Sequence, residues 1–335
     1  MTQSARKESF VEKFKGIYEK NYKKFFIIPA LAVIFCIAVL GINYFQTGEL
    51  VSKGIDLQGG TIITIDGASF PSGSLDENAL RSAISASLSL KENEISVGKT
   101  TAYSGGGIAL AAVHVEAPPK VDSVLLVGSI ESALRAQGIG TNSSEYNLKI
   151  VGPAVGKSFL TNTYIALLLG FVFIAVVIFT LFRNTGELKE YSRKSHLVTL
   201  TVISCIFFDF LGGLAVMNLF GIKFAPLTLA SLLMLIGFSI DSDILITTAV
   251  LKRSEGRPVD RAFSAMKTGV TMTIAAAASL LALLFLSGST AIRDMTIILL
   301  GGLVFDIIHT WFTNLGILFF LAEKGKKPAA EVFSQ

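Results

Sequence analysis

Six long apolar stretches, one and then five, flank a single water-soluble segment and decide what this chain can become. The first covers residues 25–45; the other five lie between 163 and 322. About 20 apolar residues suffice to cross a bilayer as a helix. Backbone groups in lipid must find partners within their own segment, so each stretch is expected to be helical. The reading is an α-helical polytopic membrane protein with transmembrane helices at 25–45, 163–182, 197–221, 225–251, 269–287 and 295–322. A basic N-terminal segment, 1–24, precedes the first helix. An α+β domain, 46–158, separates the first helix from the second. A five-helix bundle fills 159–322, and a tail, 323–335, follows. Hydrophobic residues make up 51% of the chain and charged ones 16%, outside the range of an ordinary soluble domain.

The distribution of basic residues orients this arrangement. Seven Lys or Arg precede residue 25, four lie in 183–196, five in 252–267 and three in the tail, whereas the opposite short loops hold Lys223 and Arg293. By the positive-inside rule both termini are expected in the cytoplasm and the soluble domain outside, in the cell membrane. The basic excess is therefore topological and implies no nucleic-acid partner. Both cysteines, Cys36 and Cys205, fall in apolar stretches, so no disulfide is expected in the outer domain. The first stretch is too long for a signal-peptide core, lacks a small-x-small cleavage site, and reads as a retained anchor. Phe10, Phe14, Ile17 and Tyr18 recur at helical spacing among lysines, which fits either a short amphipathic surface helix or a solvated tail.

The outer domain alternates in pattern. Residues 55–66 read as a strand, 76–90 as a helix capped by Asp76, 95–101 and 108–116 as strands joined by Ser104-Gly105-Gly106-Gly107, 121–137 as a helix ended by Gly138, and 147–150 as a last strand. The order β-α-β-β-α-β is the ferredoxin-like pattern. Within the spans, Gly212-Gly213, Ala275 to Ala278 and Gly301-Gly302 are small-residue runs that let helices approach closely.

Asp209, Asp241, Asp243 and Asp306 lie inside the predicted spans, with no Lys or Arg at comparable depth. An ionised carboxylate at mid-bilayer costs roughly 2.5–3.5 kcal/mol. Each must be protonated, face water, meet a group on another protein, or bond a neighbouring Ser, Thr or Asn. Asp241 and Asp243 stand about 200° apart around a helix and face nearly opposite ways. Asp306 and His309 are three apart and are expected to share a face, where they satisfy each other or relay a proton.

Several motifs lead nowhere. Gly152-Pro153-Ala154-Val155-Gly156-Lys157-Ser158 has three residues between its glycines where a phosphate-binding loop needs four. No nucleotide or other cofactor is expected. Gly237-Phe238-Ser239-Ile240-Asp241 lacks the Gly-x-Gly-Asp of an intramembrane aspartyl protease. Asn142-Ser143-Ser144 is an isolated glycosylation sequon, and His114 stands alone, so no metal site is expected.

Just beyond the first apolar stretch the chain reads Gly54-Ile55-Asp56-Leu57-Gln58-Gly59-Gly60-Thr61. This resembles the Asp-Leu-x-Gly-Gly signature of the SecD/SecF family, accessory membrane subunits of the Sec protein-export system. Ile150-Val151-Gly152-Pro153-Ala154-Val155-Gly156 resembles a second family motif before the second span. Gly237-Phe238-Ser239-Ile240 followed by acidic residues resembles a third. The short outer domain is similar to the SecF branch, in its archaeal form. The resemblance implies a bundle similar to half of a resistance-nodulation-division (RND) transporter and a non-enzymatic export role beside SecD and a SecYE-type channel. It implies contact with the translocating polypeptide and the lipid bilayer, and the proton gradient as the energy source if there is one. It gives Asp56, Leu57, Gly59, Gly60 and Thr61, with Gly152, Pro153 and Gly156, a place at the domain–membrane junction. Asp209, Asp241, Asp243, Asp306 and His309 are the intramembrane candidates. Where bacterial relatives carry an arginine near the fifth span, this chain reads Lys267-Thr268-Gly269-Val270-Thr271-Met272. The alternative class is a proton-coupled RND-type small-molecule exporter.

Overall fold

The computed structural model describes residues 3–66, 75–104, 107–138, 146–183, 195–251 and 256–324. The Gly105-Gly106 turn, the Asn142 sequon, much of the basic loops at 184–194 and 252–255, and the tail beyond 324 lie outside these. The chain opens with α1 (Gln3–Phe25) and, after a one-residue break, α2 (Ile27–Thr47), which Gly48 closes in the left-handed conformation. α1 is not a free tail. Its Tyr18 and Tyr22 are buried against Val259, Trp311 and Phe319.

The first outer element departs from the predicted strand. Residues Ile55–Gln58 form a single helical turn, α3, and β1 begins only at Gly60 (Gly60–Asp66). Gly59 and Gly60 take φ of 82° and 146°, conformations that a side chain makes costly, and this pair breaks the chain between turn and strand. The remaining outer elements are α4 (Glu77–Leu88), β2 (Ser96–Ser104), β3 (Gly107–Ala117), α5 (Ser123–Ala136) and β4 (Tyr146–Val151). Asp76 and Asp122 cap the two helices by accepting two backbone amides each. The sheet order is β2-β3-β1-β4, with every neighbouring pair antiparallel. Alternate strand residues, Ile63, Ile65, Val113 and Val115, meet Leu80 and Ile84 of α4 and Leu126 and Ile130 of α5 in one buried core.

The elements that follow among the described residues are helices: α6 (Pro153–Arg183), α7 (Ser195–Leu219), α8 (Pro226–Leu251), α9 (Pro258–Leu286) and α10 (Thr290–Ile308). A π-helical segment, His309–Asn314, and α11 (Leu315–Lys324) complete it. Proline opens α6, α8 and α9, where its missing amide hydrogen is no loss. Among the described residues five helices, α2 and α6 to α9, are long and apolar enough to cross a membrane. The sixth expected crossing, 295–322, is a continuous path but not one α-helix, because the π segment interrupts it. α6 starts ten residues before its predicted span, so its first turns rise about 15 Å into the outer domain. α7 lies at the bundle centre, where methyl groups added to Gly212 and Gly213 would stand 2.5 and 2.7 Å from Phe305 and Leu232.

Candidate functional site

Three of the four span aspartates converge at the bundle centre. Asp209 of α7, Asp243 of α8 and Asp306 of α10 are buried, and no Lys or Arg pairs with them among the described residues. Asp209 Oδ1 lies 2.6 Å from His309 Nδ1, and its Oδ2 accepts the Ser239 hydroxyl at 2.6 Å. Asp306 Oδ1 accepts from Ser242 at 2.7 Å. Thr310 Oγ1 lies 3.2 Å from Asp306 Oδ1 and 3.1 Å from Asp243 Oδ1. Asn314 donates to Asp243 Oδ1 at 2.8 Å and to Thr247 at 3.2 Å.

This geometry corrects the expected Asp306–His309 pair. His309 opens the π segment, but its amide still bonds Phe305 and Asp306 in α-helical fashion; its imidazole reaches across to α7 and meets Asp209 rather than Asp306. Asp306 instead meets Thr310, one turn on. The π segment supplies His309, Thr310 and Asn314, which between them touch all three carboxylates. Its irregular backbone is held from outside the path: Tyr18 of α1 donates to the Trp311 carbonyl at 2.6 Å, and Cys205 Sγ to the His309 carbonyl at 3.8 Å. Burial holds the Tyr18 phenol above its ordinary pKa, so it remains a donor. Phe208 and Phe305 flank the His309 ring, with centroids 5.5 and 6.4 Å away.

The network is not saturated. Thr310 has one hydroxyl hydrogen and faces two carboxylates, so it donates to one at a time. Asp243 Oδ2, His309 Nε2 and Asn314 Oδ1 are buried without a hydrogen-bond partner among the described residues. Such a constellation can store a proton and change which oxygen holds it. Asp241, on the opposite side of α8 from Asp243, is exposed and makes no hydrogen bond or ion pair among the described residues.

The two junction motifs come together although they are far apart in sequence. Leu57 is buried on top of the bundle against Met217, Ile222, Phe224, Leu232 and Ile298. Gly54 donates its amide to the Phe224 carbonyl at 2.7 Å, and Phe224 donates to Ser52 at 2.7 Å. Asp56 pairs with Lys149 of β4 at 2.9 Å. A methyl group on Gly59 would stand 2.8 Å from Pro153 Cα, and one on Gly156 2.6 Å from Gly59 N. One on Gly60 would collide with the Ala117 carbonyl oxygen. Thr61 is buried at the start of β1, whereas Gly152 has open space around it. A second tie, Lys223 to Glu116 at 3.3 Å, joins the α7–α8 connection to β3.

Residues 131–324 match the family profile described as protein export membrane protein SecD/SecF, C-terminal. The chain is 32% identical over 310 residues to the protein-export membrane protein SecF of Pyrococcus furiosus, covering 92% of this chain and 93% of that one. It is 31% identical over 304 residues to the SecF of Methanothermobacter thermautotrophicus, covering 89% and 92%. Its fold is similar to the crystal structure of SecDF, a translocon-associated membrane protein from Thermus thermophilus, with a TM-score of 0.63 at 20% identity. That match covers 93% of this chain and 38% of the longer SecDF chain.

Proposed function

The chain belongs to the SecD/SecF family of protein-export membrane proteins, and from that premise we propose that it is the SecF-type accessory subunit that assists translocation of proteins across the cytoplasmic membrane. In this reading it crosses the membrane six times, the α10–π–α11 path being the sixth crossing. Both termini are cytoplasmic, and the ferredoxin-like domain stands outside. It works beside a SecD-type partner and a SecYE-type channel, and it is not an enzyme. Asp241, exposed on α8 without a bonding partner among the described residues, is where a partner subunit covers the bundle.

The observation that carries the functional part is the carboxylate network. Three buried carboxylates with one imidazole, and no Lys or Arg bound to them among the described residues, form a costly arrangement that packing alone does not require. We assign it to proton handling. Asp209 orients the His309 imidazole through Nδ1, and the single Thr310 hydrogen alternates between Asp306 and Asp243 as their protonation changes. The outer domain, tied to the bundle at Gly59–Pro153, transmits the consequence outward.

The test is Asp209→Asn, expressed in the native host and compared with the parent for export of a secreted reporter by pulse-chase. Slowed export at unchanged protein level supports the assignment. Unchanged export kinetics reduce Asp209 to a packing role, and the reading of the network fails. Mild-detergent purification of the tagged chain checks the partner, with a stoichiometric SecD-type protein expected and recovery of the chain alone counting against it.

A further inference from the structure

β4 forms one border of the outer sheet. Its inner side pairs with β1, and among the described residues no strand pairs with its outer side. On the face beneath α5, β4 presents Tyr146, Leu148 and Ile150, opposite Ile65, Ile63 and Thr61 of β1. Tyr146 is covered, with its hydroxyl 3.2 Å from Glu131 of α5. Leu148 and Ile150 are 44% and 63% exposed. β3 and β4 both run opposite to β1, so the α5 that joins them runs back along β4. Val124, two turns before Glu131 on the same helix face, therefore lies toward the Ile150 end. Val124 is 77% exposed.

An open strand edge normally carries charges that deter pairing. The charge on β4, Lys149, belongs to the other face and is held by Asp56. What remains is a row of backbone donors and acceptors beside an apolar strip. We propose that the outer edge of β4 takes up an extended, unfolded polypeptide as a transient fifth strand, with its apolar side chains laid on Leu148, Ile150 and Val124. This rests on the export reading above. A row of peptide groups is met by another extended backbone, and recognition through the main chain is indifferent to sequence. The size of the strip selects a passing occupant over a resident one. Six residues give an edge about 20 Å long, and a strip of roughly 300 Å² falls far short of the about 800 Å² per partner of a stable interface.

The continuity of the chain gives such binding a consequence. β4 ends at Val151, and Pro153 is already the first residue of α6. The strand that holds the polypeptide is thus the direct extension of a span.

The experiment uses the full-length protein in its native membrane, carrying Ile150→Cys or, on the exposed side of α4, Ala86→Cys as a control. The probe is an export precursor fused to a folded blocking domain and arrested in transit, with single cysteines at successive positions. Disulfide yield to Ile150→Cys should alternate with a period of two, alternate positions exceeding their neighbours by about fivefold, because every second side chain of a strand faces the same way. Yield to Ala86→Cys should stay low throughout. Equal yields from the two sites, a flat profile, or links from Ile150→Cys to a resident subunit alone overturn the edge proposal and leave the export reading intact. In a second test, Leu148→Lys with Ile150→Lys, both at exposed positions, should slow export about fivefold, whereas Leu148→Val with Ile150→Val should not. Unchanged export in the lysine pair overturns the proposal. Export that does not change when the gene is deleted ends the export reading itself.

Discussion

Gly156→Ala isolates the joint between the outer domain and the bundle. The added methyl would stand 2.6 Å from Gly59 N and 3.0 Å from the carbonyl carbons of Leu57 and Gln58. All three are backbone atoms of α3 and its terminating glycine, so no side chain can swing aside. Carbon contacts are comfortable at about 3.5–4 Å, so the overlap is about 1 Å and is relieved only by lifting the first turns of α6 off α3. Overpacking of this kind costs about 1–3 kcal/mol, while the gain of alanine over glycine within a helix returns about 1 kcal/mol. Because only backbone can yield here, the upper end of that cost applies, and the net loss is about 2 kcal/mol, or roughly a thirtyfold rise in local opening. Amide hydrogen exchange on the intact protein in nanodiscs reads this directly at residues 54–60 and 153–160. Gly152→Ala is the internal control. It belongs to the same motif, yet nothing lies within 4 Å of the position its methyl would take, so exchange should not change. Unaltered exchange in Gly156→Ala, or equal acceleration in Gly152→Ala, would refute the claim that close backbone approach holds this joint.

Two further substitutions probe the bundle. Tyr18→Phe removes the donor to the Trp311 carbonyl and leaves that buried acceptor unmet, at a cost of about 1–3 kcal/mol; Trp311 is the sole tryptophan, so its fluorescence during thermal unfolding should report a lowered midpoint, and an unchanged midpoint would mean that α1 contributes nothing to the π segment. Asp209→Asn and His309→Gln should each destabilise by about 1–3 kcal/mol, and the double variant by clearly less than the sum, because both singles break the same 2.6 Å contact; additive losses would contradict direct pairing.

How much of this was legible beforehand depends on the range of the physics involved. Five of the apolar stretches recur as helices long and apolar enough to cross a membrane, and the β-α-β-β-α-β order recurs with shifted ends, because both follow from local periodicity. Residues 55–58 read as strand because their hydrophobic alternation continues into β1; the glycine backbone angles that make α3 a helical turn leave no such pattern. Asp209 was visible as a span carboxylate without an excuse. Its partner was not, because the packing of one helix on another decides which carboxylate the His309 ring meets, whereas the expected three-residue spacing pointed it at Asp306. Hydrogen bonding of the aspartates to Ser, Thr or Asn was expected, but the sequence does not single out Ser239, Ser242, Thr310 and Asn314, for a related reason. Hydroxyls in apolar helices usually bond their own backbone one turn earlier, as Thr201 and Ser231 do here, and sequence does not tell which hydroxyls turn outward. Tyr18 stood out as one residue of an amphipathic stripe, but that stripe did not say which surface it covers. The two junction motifs were each recognisable, and only the fold brings them into contact.

The joint at Gly59 and Pro153 has the geometry of a fulcrum. The outer domain is entered at Gly60 and left at Val151, directly beside each other on the sheet, so both strands of the attachment cross at one place. β1, seven residues long, reaches about 23 Å from there. A tilt of about 10° in the first turn of α6 therefore sweeps the far end of the sheet through about 4 Å. By the same leverage, a sideways pull on that end arrives at α6 as a larger force over a shorter stroke. A displacement too small to disturb the packing of one helix is enough, at the far end of the sheet, to cover nearly the spacing between neighbouring strands.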